Sequence, residues 1–141
     1  MRARPQEHER GTPCPCGSGA QLEQCCAPYV RGERAAPGPE ALMRSRFTAF
    51  ALGTAQGIDY LIATHHPEHR DPQLREGLRN TFAAVDAWEQ LEVLESREQG
   101  QQGEVRFVAT YRVGGRRQQL REHSHFVCEQ GRWLYTEGRV S

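Results

Sequence analysis

The chain contains no lysine: all 18 of its basic residues are arginine, and 18 acidic residues bring the formal net charge to +0. The absence of lysine excludes Schiff-base catalysis and a phosphate-binding loop of the Walker type, because both need an amine. The zero net charge creates no chain-wide field that would draw the protein onto nucleic acid or anionic lipid. Arginine instead favours planar, two-point pairing with carboxylates.

Long apolar stretches are also missing. No run approaches the ~20 apolar residues needed to cross a bilayer, and the opening M-R-A-R-P-Q-E-H-E-R lacks the apolar core of a secretory signal peptide. We therefore expect a cytoplasmic protein that makes no membrane contact. The 141 residues, of which 37% are hydrophobic, provide one modest core, enough for one ordinary domain and a minor module.

Cysteine is scarce except near the start, where four of the five cysteines fall in the run C-P-C-G-S-G-A-Q-L-E-Q-C-C. Two close pairs separated by a turn-rich stretch can place four thiolates around one tetrahedral zinc, and four protein ligands leave no open position for catalysis. The missing signal peptide disfavours two disulfides, which remain an alternative together with redox-active thiols. The pattern predicts one structural Zn²⁺ per chain, held by Cys14, Cys16, Cys25 and Cys26.

Apolar spacing predicts three helices after residue 40. The first carries Leu42, Met43, Phe47, Phe50 and Ala51 on one face, with Gly53 as its C-cap. The second spans about Gln56 to His65 and ends before Pro67. The third is expected to begin at Asp71 and Pro72, its N-cap and first-turn residues, and to bury Leu74, Leu78 and Phe82.

Beyond Trp88 the apolar period changes to two, which predicts strands. A first strand contains Leu91 and Val93, a second runs from Val105 to Val113 and ends at Gly114-Gly115, a third runs from Leu120 to Cys128, and a fourth from Arg132 to Glu137. Three helices followed by an antiparallel meander predict an α+β domain in which the helices cover one face of the sheet.

Several segments also resemble a known family. The run Cys14-Pro15-Cys16-Gly17-Ser18-Gly19 with Cys25-Cys26 is similar to the SEC-C motif. The chain beyond it resembles the YchJ-like family of small bacterial proteins at E-A-L-M-R-S-R-F-T-A (40–49), D-Y-L-I-A-T-H-H-P (59–67), E-H-S-H-F (122–126) and G-R-W-L-Y-T-E-G (131–138). The resemblance implies a zinc-binding module followed by a cone-shaped nuclear transport factor 2-like domain, with three helices packed on a curved antiparallel sheet.

The composition and the resemblance together divide the chain into four parts. Residues 1–12 are charged and lack apolar periodicity, which predicts a flexible tail. Residues 13–32 form the SEC-C zinc-binding module, and the Pro-rich residues 33–39 form a linker. Residues 40–141 form the nuclear transport factor 2-like α+β domain.

A curved sheet wrapped by helices commonly leaves a concave pocket, and such pockets are the default ligand sites. Glu122 shares the core-facing parity of Leu120 and Phe126, so its carboxylate needs a partner, and Arg46 or His66 would provide one. Three interpretations remain open: a structural polar network that joins helices to sheet, a ligand pocket, or catalysis by a His66–Glu122 acid–base pair. The pocket candidates are Arg46, Tyr60, His66, Glu122 and Ser124.

Other polar groups have simpler explanations. The residues His65, His66 and His69 fit a solvated helix terminus better than a second metal site, and the pair His123 and His125 lies on the opposite strand face from Glu122. Cys128 fits a small packed side chain. A basic cluster at Arg116, Arg117 and Arg121 fits a solvated face better than an RNA site.

Three classes of function follow. The first is an adaptor that binds another protein through the zinc module, since the SEC-C resemblance implies protein interaction and no complete catalytic constellation is visible. The second is a small-molecule binder or enzyme that uses the pocket of the α+β domain. The third is a module associated with the ribosome or nucleic acid, which the neutral charge disfavours. The sequence predicts neither the oligomeric state nor the identity of a partner.

Overall fold

The protein is described here by a computed structural model covering residues 11–141. Most of the predicted tail, residues 1–10, therefore lies outside the described residues. The described chain is α+β, with helices first and a four-stranded sheet after them. The helices are α1 (Ala27–Val30), α2 (Pro39–Leu52), α3 (Ala55–Ala63) and α4 (Leu74–Ala84), and short 3₁₀ turns occupy Leu22–Gln24 and Pro67–His69.

Helix α2 lies at the centre of the helical layer. It begins with Pro39 in its first turn, where the missing N–H costs nothing, and ends at Gly53, whose φ of 64° places it in the left-handed region. Its start lies so close to the sheet that a Cβ at residue 103 would stand 2.6 Å from Pro39 Cγ. Glycine at this position of the second strand therefore permits the close approach of helix and sheet.

Helices α3 and α4, which correspond to the second and third predicted helices, differ from their predicted bounds. Helix α3 ends at Ala63, two residues early, because the carbonyl of Thr64 accepts a hydrogen bond from Tyr135 N at 2.7 Å and the next residue forms a bridge with the last strand. Helix α4 begins at Leu74, because the Asp71 side chain instead accepts from Gln73 N at 2.7 Å in a local turn.

The sheet is an antiparallel meander in the order β1–β2–β3–β4. Its strands are longer than predicted and span Ala87–Gln99, Gln102–Val113, Arg116–Glu129 and Arg132–Val140. Register shifts in β1, and a further one where β4 meets β3, mark bulges, which bend a sheet and increase its twist. The concave face meets the helices and carries Val105, Phe107, Ala109, Ser124 and Phe126, all at most 4% exposed.

The core has two parts. The larger part joins helix α2 to the concave face of the sheet, and it also includes Cys14, Cys16 and Cys26 from the N-terminal segment. The smaller part, around Ala49, Leu61 and Leu78, holds the helices together. In the described part of the chain, no helix is both long and apolar enough to cross a bilayer.

Candidate functional site

The four clustered cysteines are presented by a compact segment that we call the cysteine knuckle, residues 13–26. Pro13 and Gln21 form an isolated antiparallel bridge, and Cys14 N donates to Ala20 O at 2.9 Å, which closes the loop between the cysteine pairs. Gly17 and Gly19 have φ values of 80° and 91°, a region that side chains disfavour. The 3₁₀ turn at Leu22–Gln24 then returns the chain to the second cysteine pair.

The sulfur atoms have the spacing of a tetrahedral metal site. Cys16 Sγ lies 3.7 Å from Cys25 Sγ, which lies 3.9 Å from Cys26 Sγ, and all four sulfurs, including that of Cys14, lie within 4.8 Å of one another. A Zn–S bond of roughly 2.3 Å implies tetrahedral sulfur separations of about 3.8 Å. All four cysteines are free of disulfides. The donor set therefore fits a metal ion.

The protonation of these thiols is consistent with a site that could hold a cation. Hydrogen bonding from Cys14 lowers the pKa of Cys16, so one thiolate forms readily within the cluster. Hydrogen bonds to Cys14 and Cys16 raise the pKa of Cys26, and burial raises that of Cys25. Four crowded thiols, three of them in buried residues, cannot all ionise together unless a positive charge compensates them.

The cysteine knuckle packs against the α+β domain. Cys14, Cys16 and Cys26 are at most 5% exposed, and Cys14 Sγ lies 3.6 Å from the hydroxyl oxygen of Thr48 on α2. Arg44 of the same helix donates from Nη1 to the Cys16 carbonyl at 2.7 Å. A metal ion here would join the N-terminal segment directly to the main core, with no open coordination position for a substrate.

A second feature is a cavity of about 650 Å³ between α2, α4 and the concave face of the sheet, which we call the cone cavity. Most of its wall is apolar or aromatic, formed by residues such as Phe47, Phe50, Leu74, Trp88 and Phe107. Four polar residues converge in one part of the wall: Arg46, Glu122, Ser124 and Tyr135. An apolar cavity with a few convergent polar groups is the usual form of a small-molecule site.

Arg46 is the principal charged group of the cone cavity. It is 7% exposed, and burial lowers its pKa to about 10. Its Nη1 donates to the Leu61 carbonyl at 2.9 Å and to Thr64 Oγ1 at 2.7 Å, and its guanidinium lies 4.6 Å from the centre of the Tyr135 ring. Within residues 11–141, Arg46 Nε and Nη2 form no hydrogen bond. Every fully buried side-chain nitrogen in these residues has a hydrogen-bond partner, so Nε and Nη2 are not fully buried. These two groups are therefore the accessible part of the side chain in the cavity wall.

Glu122 is half-buried beside Arg46 but does not bond to it. Its carboxylate accepts a hydrogen bond from the fully buried Ser124 hydroxyl at 2.7 Å and lies where a Cβ of Gly138 would stand. The carboxylate charge also raises the pKa of Tyr135, which reaches about 12 mainly through burial. Among the described residues, Glu122 and Arg46 form no direct pair, so the expectation that they would is wrong. Arg46 Nη1 bonds instead to oxygen atoms at the end of α3.

Two other predicted pocket residues lie elsewhere. Amide N of Glu68 donates to His66 Nδ1, so Nε2 of the neutral ring carries the proton and donates to Glu129 at 2.9 Å. His66 does not line the cone cavity, and the predicted His66–Glu122 acid–base pair is not formed. Tyr60 also lies outside the cavity wall and bonds to Ser45 at 2.6 Å.

Tyr135 is the cavity residue that sequence reasoning missed. Its ring packs beneath Arg46, and its backbone bonds to both Thr64 and His66. The bulge in β4 places this side chain opposite Phe126, on the concave face. The motif G-R-W-L-Y-T-E-G contained the signal, since an aromatic residue in a family-matching segment near a buried arginine is a candidate for cation–π contact.

Two family profiles match the chain. One, described as YchJ, middle NTF2-like domain, covers residues 38–138, and the other, the SEC-C motif, covers residues 12–28. The larger match spans well over half of the chain. The knuckle and the cone cavity thus fall in separately recognised parts of the sequence.

Solved structures agree with these matches. A SEC-C motif containing protein from Rhodopseudomonas palustris is 40% identical, with a TM-score of 0.83 over 91% of this chain and 98% of that one. A second, from Psychrobacter arcticus, is 25% identical, with a TM-score of 0.73 over 91% and 82%. A putative calcium/calmodulin-dependent protein kinase type II association domain from Thiobacillus denitrificans, 16% identical, has a TM-score of 0.61 over 77% and 97% and shares the fold alone.

Proposed function

The chain belongs to the YchJ-like family, and we propose that its α+β domain binds a small, mainly apolar molecule with one polar end in the cone cavity. The observation that supports this proposal is Arg46, a buried cation with two N–H groups accessible in the cavity wall. A ligand acceptor group would bond to these donors, while its apolar body would lie against Phe47, Phe50 and Trp88. Because Glu122, Asp71 and Glu76 line the same cavity as Arg46, the polar end of the ligand should carry at most one negative charge.

Gly77 provides a direct test of ligand binding. It lies on α4 in the cavity wall, and no atom stands within 4 Å of a Cβ built there. Gly77→Phe should therefore add a ring at the cavity wall, from a position where the new Cβ meets no neighbour, and Gly77→Ala is the matched control that adds only a methyl group. The probe is 1-anilinonaphthalene-8-sulfonate, which has an aromatic body and one anionic end, followed by its fluorescence and by energy transfer from Trp88.

We expect saturable binding of one probe per chain to the native protein and to Gly77→Ala, and at least tenfold weaker binding to Gly77→Phe. Arg46→Met should weaken binding by a similar factor if it folds, because the anionic end loses its donors. Amide shift changes in NMR spectra should cluster at Ala109, Ser124 and Tyr135. Equal binding to the native protein and Gly77→Phe, or no binding at all, would contradict the proposal.

We further propose that the metal of the cysteine knuckle is zinc, one ion per chain, with a structural role. The sulfur spacing, the absence of an open ligand position and the reducing cytoplasm expected from the sequence support this assignment. Elemental analysis of protein purified without added metal should give about one zinc per chain, and Cys128→Ser should leave that content unchanged. Finding iron instead, or no metal with four free thiols, would count against zinc.

An adaptor role for the cysteine knuckle is the second candidate. It is supported by the exposure of the knuckle rim, Gly17–Gly19 with Glu23 and Gln24, at the surface of the protein. Pull-downs that compare the native chain with Glu23→Arg and Gln24→Arg would test whether a protein partner depends on this rim at unchanged zinc content. Binding of nucleic acid has less support, since Arg117 of the basic cluster pairs with Glu89 at 3.3 Å.

A further inference from the structure

The convex face of the sheet carries a second group of metal-ligating side chains, remote from the cysteine knuckle. His123 and His125 occupy alternate positions of β3 and therefore project from the same face. Glu104 of β2 lies directly opposite His125 in the strand register. The sequence places the two histidines together, but only the register shows that a carboxylate joins them.

The three side chains are already close. His123 Nε2 lies 2.6 Å from Glu104 Oε1, and the two imidazole rings are 4.6 Å apart between centroids, tilted by 33°. One ligand atom from each residue falls within 4.8 Å of the other two. All three are half-buried, which limits their motion and still leaves a side open to solvent.

A fourth ligand stands on the neighbouring strand. Glu137 of β4 lies opposite His125, and it lines the same surface groove as Glu104 and His125. The bulge at residue 136 is responsible, because it turns Glu137 to the convex face while Tyr135 and Gly138 stay on the concave face. Three adjacent strands thus present two carboxylates and two imidazoles on one face, with Glu104, His125 and Glu137 in one cross-strand row and His123 in the next.

We propose that Glu104, His123 and His125, with Glu137 as an additional ligand, bind a divalent transition metal ion at this face. Two imidazoles and one carboxylate form the ligand set of many zinc and non-haem iron sites with open coordination positions. Metal–nitrogen bonds of roughly 2.0–2.1 Å require donor separations of about 3.3 Å, so small side-chain rotations suffice.

The surrounding charges predict moderate affinity. Arg97 lies opposite Glu104 in the register, and Arg106 and Arg139 lie opposite His123 on its two sides, so three cations stand near the site. Arg106 is engaged by Glu95 at 3.6 Å, which offsets part of its repulsion. The bound ion would also replace the hydrogen bond between His123 and Glu104. We therefore expect a dissociation constant in the micromolar range, far weaker than that of a four-thiolate centre.

The test uses full-length, tag-free protein whose cysteine knuckle is saturated with zinc, titrated with Zn²⁺ alone at pH 7.5 by calorimetry. We expect one additional equivalent in the native protein and its loss in His123→Asn/His125→Asn. His69→Asn is the matched control, because it removes an exposed histidine at the 3₁₀ turn and should leave the additional equivalent intact. Glu104→Gln should weaken binding at least tenfold.

The imidazole resonances provide an independent readout. In ¹⁵N-detected NMR spectra, the ring nitrogens of His123 and His125 should shift on addition of the second equivalent, while those of His65 and His66 should not. An additional equivalent that survives His123→Asn/His125→Asn, or the absence of any additional equivalent in the native protein, would overturn the proposal. The variants lie on a partly exposed face, so circular dichroism and thermal unfolding will show whether they retain the fold.

Discussion

Removal of the metal from the cysteine knuckle should destabilise the whole protein. The sequence predicts that residues 13–32 would unfold alone on chelation, since their ligands lie apart from the apolar pattern of the α+β domain. In the structure, Cys14, Cys16 and Cys26 belong to the same buried cluster as Leu42 and Phe47. Loss of the ion would leave several crowded thiols and thiolates in contact with the domain core.

The size of the effect follows from linkage. A ligand at a thousandfold excess over its dissociation constant stabilises the native state by about 4 kcal/mol, and a four-thiolate zinc site at least reaches this condition. For a chain of this length, 1 kcal/mol changes the melting temperature by roughly 3 °C, so chelation should lower it by about 12 °C. Cys16→Ser should lower the melting temperature by a similar amount, because it removes one of the four ligands at a position that is 0% exposed.

The two tryptophans serve as reporters in a thermal unfolding assay. Trp133 lies in the shared cluster and Trp88 packs against it, so both fluorescence signals should move to lower temperature together in excess chelator. Cys128→Ser is the matched control, since it removes a thiol outside the knuckle and should leave the metal and the chelator response unchanged. A domain transition unaffected by chelation, with residues 13–26 alone disordered, would refute this reasoning.

Four further changes have predictable effects. Gly103→Ala should cost about 1–3 kcal/mol of stability, because the new Cβ would meet Pro39 at 2.6 Å. Gly77→Ala in α4 has open space around its Cβ and should stabilise the protein by about 0.5–1 kcal/mol. Urea unfolding measures both effects. Thr54→Ala should cost about 1 kcal/mol, since the Thr54 side chain accepts a hydrogen bond from the Gly57 amide, in the first turn of α3, at 3.0 Å. Burial and the charge of Arg46 lower the pKa of His65 to about 4, so protonation favours the unfolded state and stability falls between pH 6.5 and 4. After allowance for its partial exposure, His65→Asn should remove about 1 kcal/mol of that acid sensitivity, measured as the difference in urea midpoints at pH 7.5 and pH 5.

Each of these measurements has an outcome that would contradict its premise. A neutral Gly103→Ala would mean that the contact between α2 and β2 can relax freely. An unchanged Thr54→Ala would show that solvent replaces the cap without cost. An equal loss of stability at pH 5 in the native protein and His65→Asn would place the acid sensitivity elsewhere, for instance in the metal ligands, which both proteins share.

The elements with strong local signals were predictable from the sequence. Gly53 ends α2 in the left-handed region, and the alternation from Val105 to Val113 lies within β2. The length of β1 was not predictable, because its second half, beyond Leu94, is polar on both faces. That half is held by pairing with β2 up to Gln99 and Gln102 and not by burial of apolar side chains.

The site was predictable only in part, for a similar reason. The cysteine spacing indicates a metal because the ligands are close in sequence, and the structure brings the four sulfurs together. The partners of Arg46 and His66 depend on how the end of α3 and the segment after it lie against β4 and the end of β3. Carbonyl groups such as that of Leu61, and a distant carboxylate such as Glu129, have no signature that a pattern of side chains could reveal.

The geometry of Arg46 supports the proposed ligand site over a purely structural lock. A guanidinium that served only to join helices to the sheet would place its donors on protein acceptors, because each unpaired buried donor costs free energy. Arg46 places only Nη1 on such acceptors, at the end of α3, and keeps Nε and Nη2 accessible in an apolar cavity whose nearest carboxylate, Glu122, is occupied by Ser124. A fold that needed only the lock could replace the arginine by an apolar side chain of similar size at little cost. The accessible donors therefore support the proposal that a ligand supplies their acceptor.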